Sequence, residues 1–200
     1  MFVQVIEGKT SNPEGLRAQF DKWVAELEPG AKGYEGTTAG VAADGRLVAF
    51  ARFESEDAAR ANSERAEQGA WWAETEKLLD GPAQFTESSD VETFLAGGSD
   101  EAGFVQVMKV SGVDRAKVKA GDAQFEPLAA ELRPDLIGGL RVWTGPDSMI
   151  EVNYFTSEAD ARAGESKPPP AEFAEGFADF MAMMSKAEFV DFSNPYLHSA

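Results

Sequence analysis

The chain contains no cysteine and a single histidine, His198, close to its end. Without cysteine it has no disulfide, no thiolate nucleophile and no Cys-ligated zinc or iron–sulfur centre. With one terminal histidine, neither a Ser-His-Asp triad nor a His-rich metal site can be assembled from internal residues. These two absences exclude several common classes of enzyme.

Basic residues are also scarce, with 18 Lys and Arg against 35 Asp and Glu, for a formal net charge of −17. A chain of this charge repels phosphate backbones and anionic lipid headgroups unless it has a local basic patch. The longest basic cluster, Arg115-Ala-Lys117-Val-Lys119, is interpreted as one solvated face of a helix. No nucleic-acid or membrane partner is expected. The acids show no EF-hand or other ligand spacing, so no metal is expected.

Long hydrophobic runs are missing as well, and no stretch of about 18 apolar residues could span a bilayer. The opening MFVQVIEGK predicts a strand and lacks the regions of a signal peptide. A hydrophobic content of 43%, with 10% aromatic residues, is enough to bury a core. We therefore expect a folded, cytoplasmic protein.

The sequence contains an internal repeat. FVQV occurs at Phe2–Val5 and again at Phe104–Val107. Three more blocks recur in the same order, 102 to 105 residues apart: Ala25-Glu-Leu-Glu-Pro29 with Ala130-Glu-Leu-Arg-Pro134, Phe53-Glu-Ser-Glu-Asp-Ala-Ala-Arg-Ala61 with Phe155-Thr-Ser-Glu-Ala-Asp-Ala-Arg-Ala163, and Ala83-Gln-Phe85 with Ala187-Glu-Phe189. Four blocks in constant order predict two copies of one unit.

Each copy predicts the same order of elements. In copy one these are a strand from Phe2, a helix that begins at Pro13 and ends at Glu28-Pro-Gly30, hairpin strands 34–42 and 46–53 around Asp44-Gly45, a second helical stretch from Ser55 with an interruption near Gln68-Gly69, and strand 83–88. In copy two they are strand 104–110, helix 114–132 with a kink at Pro127, strands 139–144 and 149–155, helical segments near 157–166 and 171–185 separated by Pro168–Pro170, and strand 187–192.

This β-α-β-β-α-β order predicts an α+β fold of two ferredoxin-like repeats. A sheet of this kind covers one face with its helices, so the two sheets are expected to pack through their other faces as an intramolecular dimeric α/β barrel. We divide the chain into a first repeat at 1–95, a linker at 96–103 and a second repeat at 104–200. The pair is a pseudo-dimer within one chain, and a higher oligomer remains open. The apolar Val91-Glu-Thr-Phe94-Leu95 predicts a short arm on the partner sheet.

The chain resembles the dimeric α/β barrel superfamily, and within it the antibiotic biosynthesis monooxygenase-like domains. The resemblance lies in Phe-x-Ser-Glu-x-x-Ala-Arg-Ala at 53–61 and 155–163, and in Pro170-Ala-Glu-Phe173-Ala-Glu, with Gly69-Ala-Trp71-Trp72 at the corresponding place in copy one. It implies relatives that include cofactor-free oxygenases of hydroquinone-like aromatics, haem-degrading enzymes and isomerases. The histidine that such domains often carry in the second helical region is absent from both copies, which argues against haem chemistry.

Candidate site residues come first from the strand alternation. One face is apolar, with Val3, Val5, Val48, Phe50, Val105, Val107, Ile150 and Val152. The opposite face has Gln4, Ala49 and Ala51 in copy one but Gln106, Glu151 and Asn153 in copy two. We expect the last three to converge inside the barrel, where they either bind a ligand or satisfy one another. The polar copy is the expected location of a site.

The second helical region supplies two further candidates. Trp71 and Trp72 are adjacent, so on a helix only one can point fully at the core while the other covers the mouth of a cavity or packs on the linker or first helix. Asn62 could reach the same cavity or face solvent. Met181, Met183 and Met184 are expected to fill the core, with pocket lining as the alternative.

Two functions remain open. The first is a small-molecule-binding barrel that acts as a cofactor-independent monooxygenase on a small aromatic or quinol-like ligand. Its substrate would supply the electrons, amides would stabilise an oxyanion and a tryptophan would stack on the rings. The second is a non-enzymatic binding or assembly module without an active site.

Overall fold

The computed structural model describes residues 1–168, 181–183 and 185–200. The chain forms two compact units, one of residues 1–91 with 194–200 and one of residues 92–193. The strands in chain order are β1 (Phe2–Lys9), β2 (Tyr34–Val41), β3 (Arg46–Phe53), β4 (Gln84–Ser88), β5 (Val91–Leu95), β6 (Phe104–Ser111), β7 (Leu136–Trp143), β8 (Ser148–Phe155), β9 (Glu188–Phe192) and β10 (Tyr196–Ser199). The helices are α1 (Pro13–Glu26), α2 (Glu56–Ser63), α3 (Ala66–Glu76), α4 (Arg115–Phe125), α5 (Ala129–Leu132) and α6 (Glu158–Glu165), with 3₁₀ turns at Glu28–Gly30 and Glu126–Leu128.

Each unit has one five-stranded sheet, in the order β10-β2-β3-β1-β4 in the first and β5-β7-β8-β6-β9 in the second. In both, the central strands repeat the predicted ferredoxin-like order, so this prediction is confirmed. The predicted apolar face is confirmed too, because all eight of its residues are at most 4% exposed.

Local sequence explains where α1 begins and why the chain turns between β2 and β3. The side chain of Asn12 accepts a hydrogen bond from the Gly15 N–H, and Pro13 occupies the first helical position of α1. Between β2 and β3, Gly45 adopts a φ of 84°, a left-handed conformation that favours glycine. Asp44 accepts a bond of 3.1 Å from the Arg46 N–H and closes the turn. The predicted helix start and hairpin are both confirmed.

The predicted break in the second helical stretch of copy one was misplaced. The break lies between α2 and α3, where Arg65 has an extended backbone. The Nη1 of Arg65 donates to Leu27 O and to Asn62 Oδ1, over 3.0 and 2.9 Å. These bonds hold the turn, whereas Gly69 is accommodated inside α3. The position of the break is therefore set by the hydrogen bonds of Arg65 and not by the low helix propensity of Gly69.

The outer strands are exchanged between the two repeats. β5 follows copy one but pairs with β7 of the second sheet, so the predicted arm is confirmed as a strand. β10 follows copy two but pairs with β2 of the first sheet, with His198 opposite Thr37. No pattern in the sequence predicts β10. Because of this exchange the compact units divide at residues 91/92 and 193/194, whereas the sequence suggested a linker at 96–103.

Copy two differs from the predictions in detail. The kink at Pro127 is confirmed, because a 3₁₀ turn at Glu126–Leu128 separates α4 from α5. β7 begins at Leu136 rather than at 139. Gly139 therefore lies inside the strand, where a Cβ would lie 1.8 Å from Cζ of Phe94. The predicted helical segment 171–185 lies largely outside the described residues.

The methionine prediction has a mixed outcome. Met183 packs against a buried cluster that includes Met108 and Trp143, as expected. Met181 is 49% exposed, so core filling was wrong for this residue, and Met184 lies outside the described residues.

Candidate functional site

A cavity of about 280 Å³ lies within the first unit, between the sheet and helices α1 to α3. The floor is made by small and aliphatic residues of the sheet, including Ile6, Ala49 and Ala51. Eight aromatic side chains line it: Phe20, Trp23, Tyr34, Phe53, Trp71, Trp72, Phe85 and Tyr196. Ligand pockets in proteins are typically apolar and of about 300–1,000 Å³, so this cavity lies just below the lower end of that range.

The aromatic rings are fixed by one another and by hydrogen bonds. The ring centroid of Trp23 lies 4.6 Å from that of Tyr34 and 6.5 Å from that of Trp71, within the range of favourable aromatic pairs. The indole Nε1 of Trp23 donates to Gln68 Oε1 over 2.6 Å, and that of Trp71 donates to Gln19 O over 2.9 Å. The walls of the cavity are therefore set before a ligand arrives.

Trp71 and Trp72 both line the cavity, each only partly buried. Trp71 packs on the buried cluster of Trp23 and Tyr34. Trp72 lies edge-on to Phe85, at 5.3 Å between centroids, and Phe85 is 52% exposed. Trp71 thus lies on the inner wall and Trp72 beside the more exposed Phe85, whereas the sequence predicts that one of the two points fully at the core.

Five polar side chains also line the cavity: Gln4, Thr37, Asn62, Ser63 and Gln68. Asn62 is 6% exposed, and its Oδ1 is taken by Arg65. No acceptor for its Nδ2 hydrogens lies among residues 1–168, 181–183 and 185–200, and the same is true of Nε2 of Gln68. A buried amide such as Asn62 ordinarily uses its donors, so its Nδ2, together with Nε2 of the half-buried Gln68, is available to a ligand.

Two tyrosines are the ionisable groups of the described lining, and neither is acidic. Burial raises the pKa of Tyr34 far above its ordinary value, although its hydroxyl bond to Thr37 and the charge of Arg52 oppose the shift. Burial and the nearby Asp21 raise the pKa of Tyr196 to about 12. Both tyrosines are protonated at neutral pH, so the described walls carry no formal charge.

β10 forms part of the cavity wall. It contributes Tyr196 directly, and its His198 stacks on the ring of Tyr34 with centroids 6.3 Å apart. The imidazole Nε2 lies 2.7 Å from Glu28 Oε2. The lone histidine is therefore engaged beside the cavity wall.

Gln106, Glu151 and Asn153 are not in this cavity. They lie on the face of the second sheet that α4 covers, because the arginine that binds Glu151, Arg141, also binds Asp122 of α4. The expectation that they face the barrel interior was therefore wrong: the residues opposite the apolar face are those under the helices. Of the five candidates, only Trp71 and Asn62 line the cavity.

The polar residues of copy two pair with neighbours in their own unit. Arg141 binds Glu151 and Asp122, each at 2.6 Å in its shortest contact. Burial disfavours the charge of Arg141, but these two acids raise its pKa above the ordinary value. Asn153 donates to Glu151 over 3.2 Å. Gln106 is the register partner of Asn153 but donates to Asp191, over 3.0 Å.

Sequence reasoning missed most of the cavity, although a signal was available. Ala49 and Ala51 occupy the positions at which copy two has Glu151 and Asn153. Polar alternation predicts a site in copy two, but the small side chains of copy one are what leave room above the sheet. Tyr34, Thr37 and Tyr196 gave no signal, because they are far apart in the chain.

The described residues, with 169–180 and 184 set aside, contain no cluster of three or more Asp, Glu, His or Cys side chains that could hold a metal ion. In the same part of the chain, no helix combines the length and apolar character needed to cross a bilayer.

No protein-family model matches this chain, and no curated protein does. Solved structures do match it. A "putative monooxygenase" from Lactobacillus acidophilus has 9% identity and a TM-score of 0.70, over 100% of this chain and 98% of that one. An "anthrone oxidase-like protein" has 12% identity and a TM-score of 0.66, over 100% and 93%. The haem-degrading enzyme LmHde from Listeria monocytogenes has 8% identity and a TM-score of 0.51, over 96% and 99%.

At these identities the likeness concerns the fold. It confirms the resemblance at that level: the chain folds as a tandem of two ferredoxin-like units, and similar chains of nearly the same length share the arrangement of elements.

Proposed function

We propose that the first-unit cavity binds a small, flat, uncharged aromatic molecule and that the protein oxygenates it without a cofactor, as a monooxygenase of quinol-like substrates. The observation that carries this proposal is the cavity itself: eight aromatic side chains, no formal charge in the described lining, and amide donors without an acceptor among the described residues.

The wall chemistry supports this ligand class. Aromatic rings bind other rings by offset stacking or edge-to-face contact, and Trp71 is fixed by its bond to Gln19 O in a position to do so. A charged ligand would lose its hydration without gaining an ion pair, which is costly. The free N–H groups of Asn62 and Gln68 instead suit oxygen acceptors, such as a carbonyl or a phenolic oxygen.

The proposed reaction uses the electrons of the substrate. A ring methylene that is conjugated with the ring carbonyl through the fused aromatic rings, as in anthrone, loses a proton to solvent, and the resulting carbanion transfers electrons to O₂ and forms a C–O bond. Loss of the second C–H proton with cleavage of the O–O bond leaves C=O on the product and releases water. The amides of Asn62 and Gln68 stabilise the oxyanion of the ionised substrate, and the aromatic walls exclude water.

Anthrone is the first substrate to test, because one structural neighbour is an anthrone oxidase-like protein. Oxygen uptake and anthraquinone formation are measured with the wild type, with the cavity-filling variant Ala51→Leu, and without protein. We expect the wild type to consume one O₂ per anthrone, and the variant to fall to the protein-free rate. Uptake by the wild type at the protein-free rate, at every anthrone concentration, would sink the monooxygenase proposal.

A non-enzymatic binding module is the second candidate. It is favoured by one observation: the described lining contains no carboxylate, histidine or lysine to act as a general base. Under this function anthraquinone would quench the tryptophan fluorescence of the wild type but not of Ala51→Leu, while neither protein would accelerate oxygen uptake.

A further inference from the structure

Two hydroxyl groups meet in the wall of the cavity. Tyr34, at the start of β2, donates from its Oη to Oγ1 of Thr37 over 2.7 Å, and both residues line the cavity. Two hydroxyls carry two hydrogens, and one hydrogen bond between them uses only one. Within the part of the chain that the structure describes, no acceptor takes the second hydrogen. One O–H donor of this pair is therefore available to whatever fills the cavity.

The pair is held rigidly. The ring of Tyr34 packs against Trp23 at 4.6 Å and Phe53 at 5.7 Å between centroids, and His198 stacks on it. Tyr34 is 7% exposed, and its hydroxyl cannot turn away from Thr37 without moving this cluster. Because Tyr34 occupies the acceptor side of Thr37 Oγ1, the Thr37 hydrogen is directed elsewhere.

Protonation keeps both hydrogens in place. Burial raises the pKa of Tyr34 well above its ordinary value, so the phenol is neutral at neutral pH. The groups that face it are Thr37 on β2, Arg52 on β3, Glu28 in the 3₁₀ turn, and His198 and Tyr196 on β10. The pair therefore offers a hydrogen-bond donor rather than a base.

We propose that Thr37 is the specificity-determining residue of the cavity: its hydroxyl, oriented by Tyr34, donates to an oxygen of the bound aromatic molecule and favours the ionised, oxyanion form of that oxygen. Tyr34 is a positioning residue that acts through Thr37. This inference rests on the proposed function and adds to it, because it assigns which protein group recognises the ligand oxygen.

The matched variants are Thr37→Val, which keeps the shape but removes the hydroxyl, and Thr37→Ser, which keeps the hydroxyl. The probes are alizarin, a hydroxyanthraquinone whose visible spectrum changes on ionisation, and anthracene, which has no oxygen. Both are titrated into the full chain by quenching of tryptophan fluorescence. The pKa of bound alizarin is read from its absorption spectrum.

We expect Thr37→Val to weaken alizarin binding about tenfold, as the loss of one hydrogen bond to a partly charged acceptor does, and to leave anthracene affinity unchanged. The pKa of bound alizarin should rise in Thr37→Val and return in Thr37→Ser. Tyr34→Phe should weaken alizarin binding two- to fivefold, because Thr37 keeps its hydroxyl but loses its orientation.

Three outcomes overturn the inference. Equal losses for alizarin and anthracene in Thr37→Val would show a structural effect alone. Unchanged alizarin affinity and ionisation in Thr37→Val would exclude the contact while the cavity remains a binding site. If neither probe binds the wild type, or if Ala51→Leu leaves both affinities unchanged, the proposed function fails together with this inference.

Discussion

The indole nitrogen of Trp23, on α1, lies 2.6 Å from Oε1 of Gln68, on α3, and this hydrogen bond ties two walls of the cavity together. Replacement of Gln68 by Met keeps the length of the side chain but leaves the indole N–H without its partner. We expect the free energy of unfolding in urea to fall by about 1–2 kcal/mol. Gln124 is exposed on α4, so Gln124→Met is the matched control and should shift stability by less than about 0.5 kcal/mol. Equal stability of the two variants would contradict a structural role for this bond.

Asn62→Asp tests the free amide donor. The substitution keeps Oδ1 for Arg65 but replaces the Nδ2 donor by a carboxylate oxygen, which repels an oxygen acceptor in the cavity. We expect anthraquinone affinity to fall by at least about tenfold, equivalent to roughly 1.4 kcal/mol, while the free energy of unfolding changes little. Fluorescence quenching titrations measure the affinity. Unchanged affinity would remove Asn62 from the ligand site.

Asn153→Ala tests whether the polar residues of copy two form a ligand site. Asn153 donates to Glu151, which is bound to the buried Arg141, so its loss should lower stability by about 1 kcal/mol. Because Asn153 does not line the cavity, anthraquinone affinity should equal that of the wild type. A loss of affinity without a loss of stability would return the ligand site to copy two.

Ala51→Leu and Ala39→Leu make the same change in different surroundings. Ala51 lines the cavity, where added carbon atoms fill empty space, so we expect lost ligand binding with stability within about 1 kcal/mol of the wild type. Ala39 is fully buried in a packed cluster with Ala49 and Tyr196, where overpacking should cost about 1–3 kcal/mol. Thermal and urea unfolding give the comparison. Equal destabilisation of the two variants would mean that the space beside Ala51 is already filled.

The lowered pKa of Glu92 predicts that its contribution to the free energy of unfolding depends on pH. It is partly buried, but bonds from Arg115, Lys119 and Trp143 lower its pKa to about 2. A carboxylate whose pKa is depressed on folding stabilises the protein above the pKa of the unfolded chain, about 4.3, and loses this effect as pH falls towards 2. Glu92→Gln should therefore be less stable than the wild type at pH 7 by about 1–3 kcal/mol, and the difference should shrink below pH 4. Urea unfolding across this range checks it. A difference that does not depend on pH would exclude the charge of Glu92 as its cause.

The amino-acid pattern was sufficient where structure is set by neighbours in the chain. Asn12-Pro13 begins α1, Asp44-Gly45 turns β2 into β3, and Pro127 interrupts the helix of copy two, because caps, left-handed turns and missing N–H groups act over a few residues. The repeat then carried these local predictions from one copy to the other. The duplicated ferredoxin-like order follows from this local information.

The tertiary structure alone decided which copy holds the cavity and how it is built. A cavity is space left over after packing, and here Ala49 and Ala51 leave it between side chains from α1, α3, β2, β4 and β10 that are up to 176 residues apart, as Phe20 and Tyr196 are. No local pattern records such a gap. The pairing of Gln106, Glu151 and Asn153 was likewise set by the tertiary structure. Gln106 bonds to Asp191 across the sheet, Glu151 accepts from both Arg141 and Asn153, and Arg141 reaches Asp122 because α4 packs on the same face. Polar alternation along a strand shows that a group must be paired, but its partner is chosen by the fold.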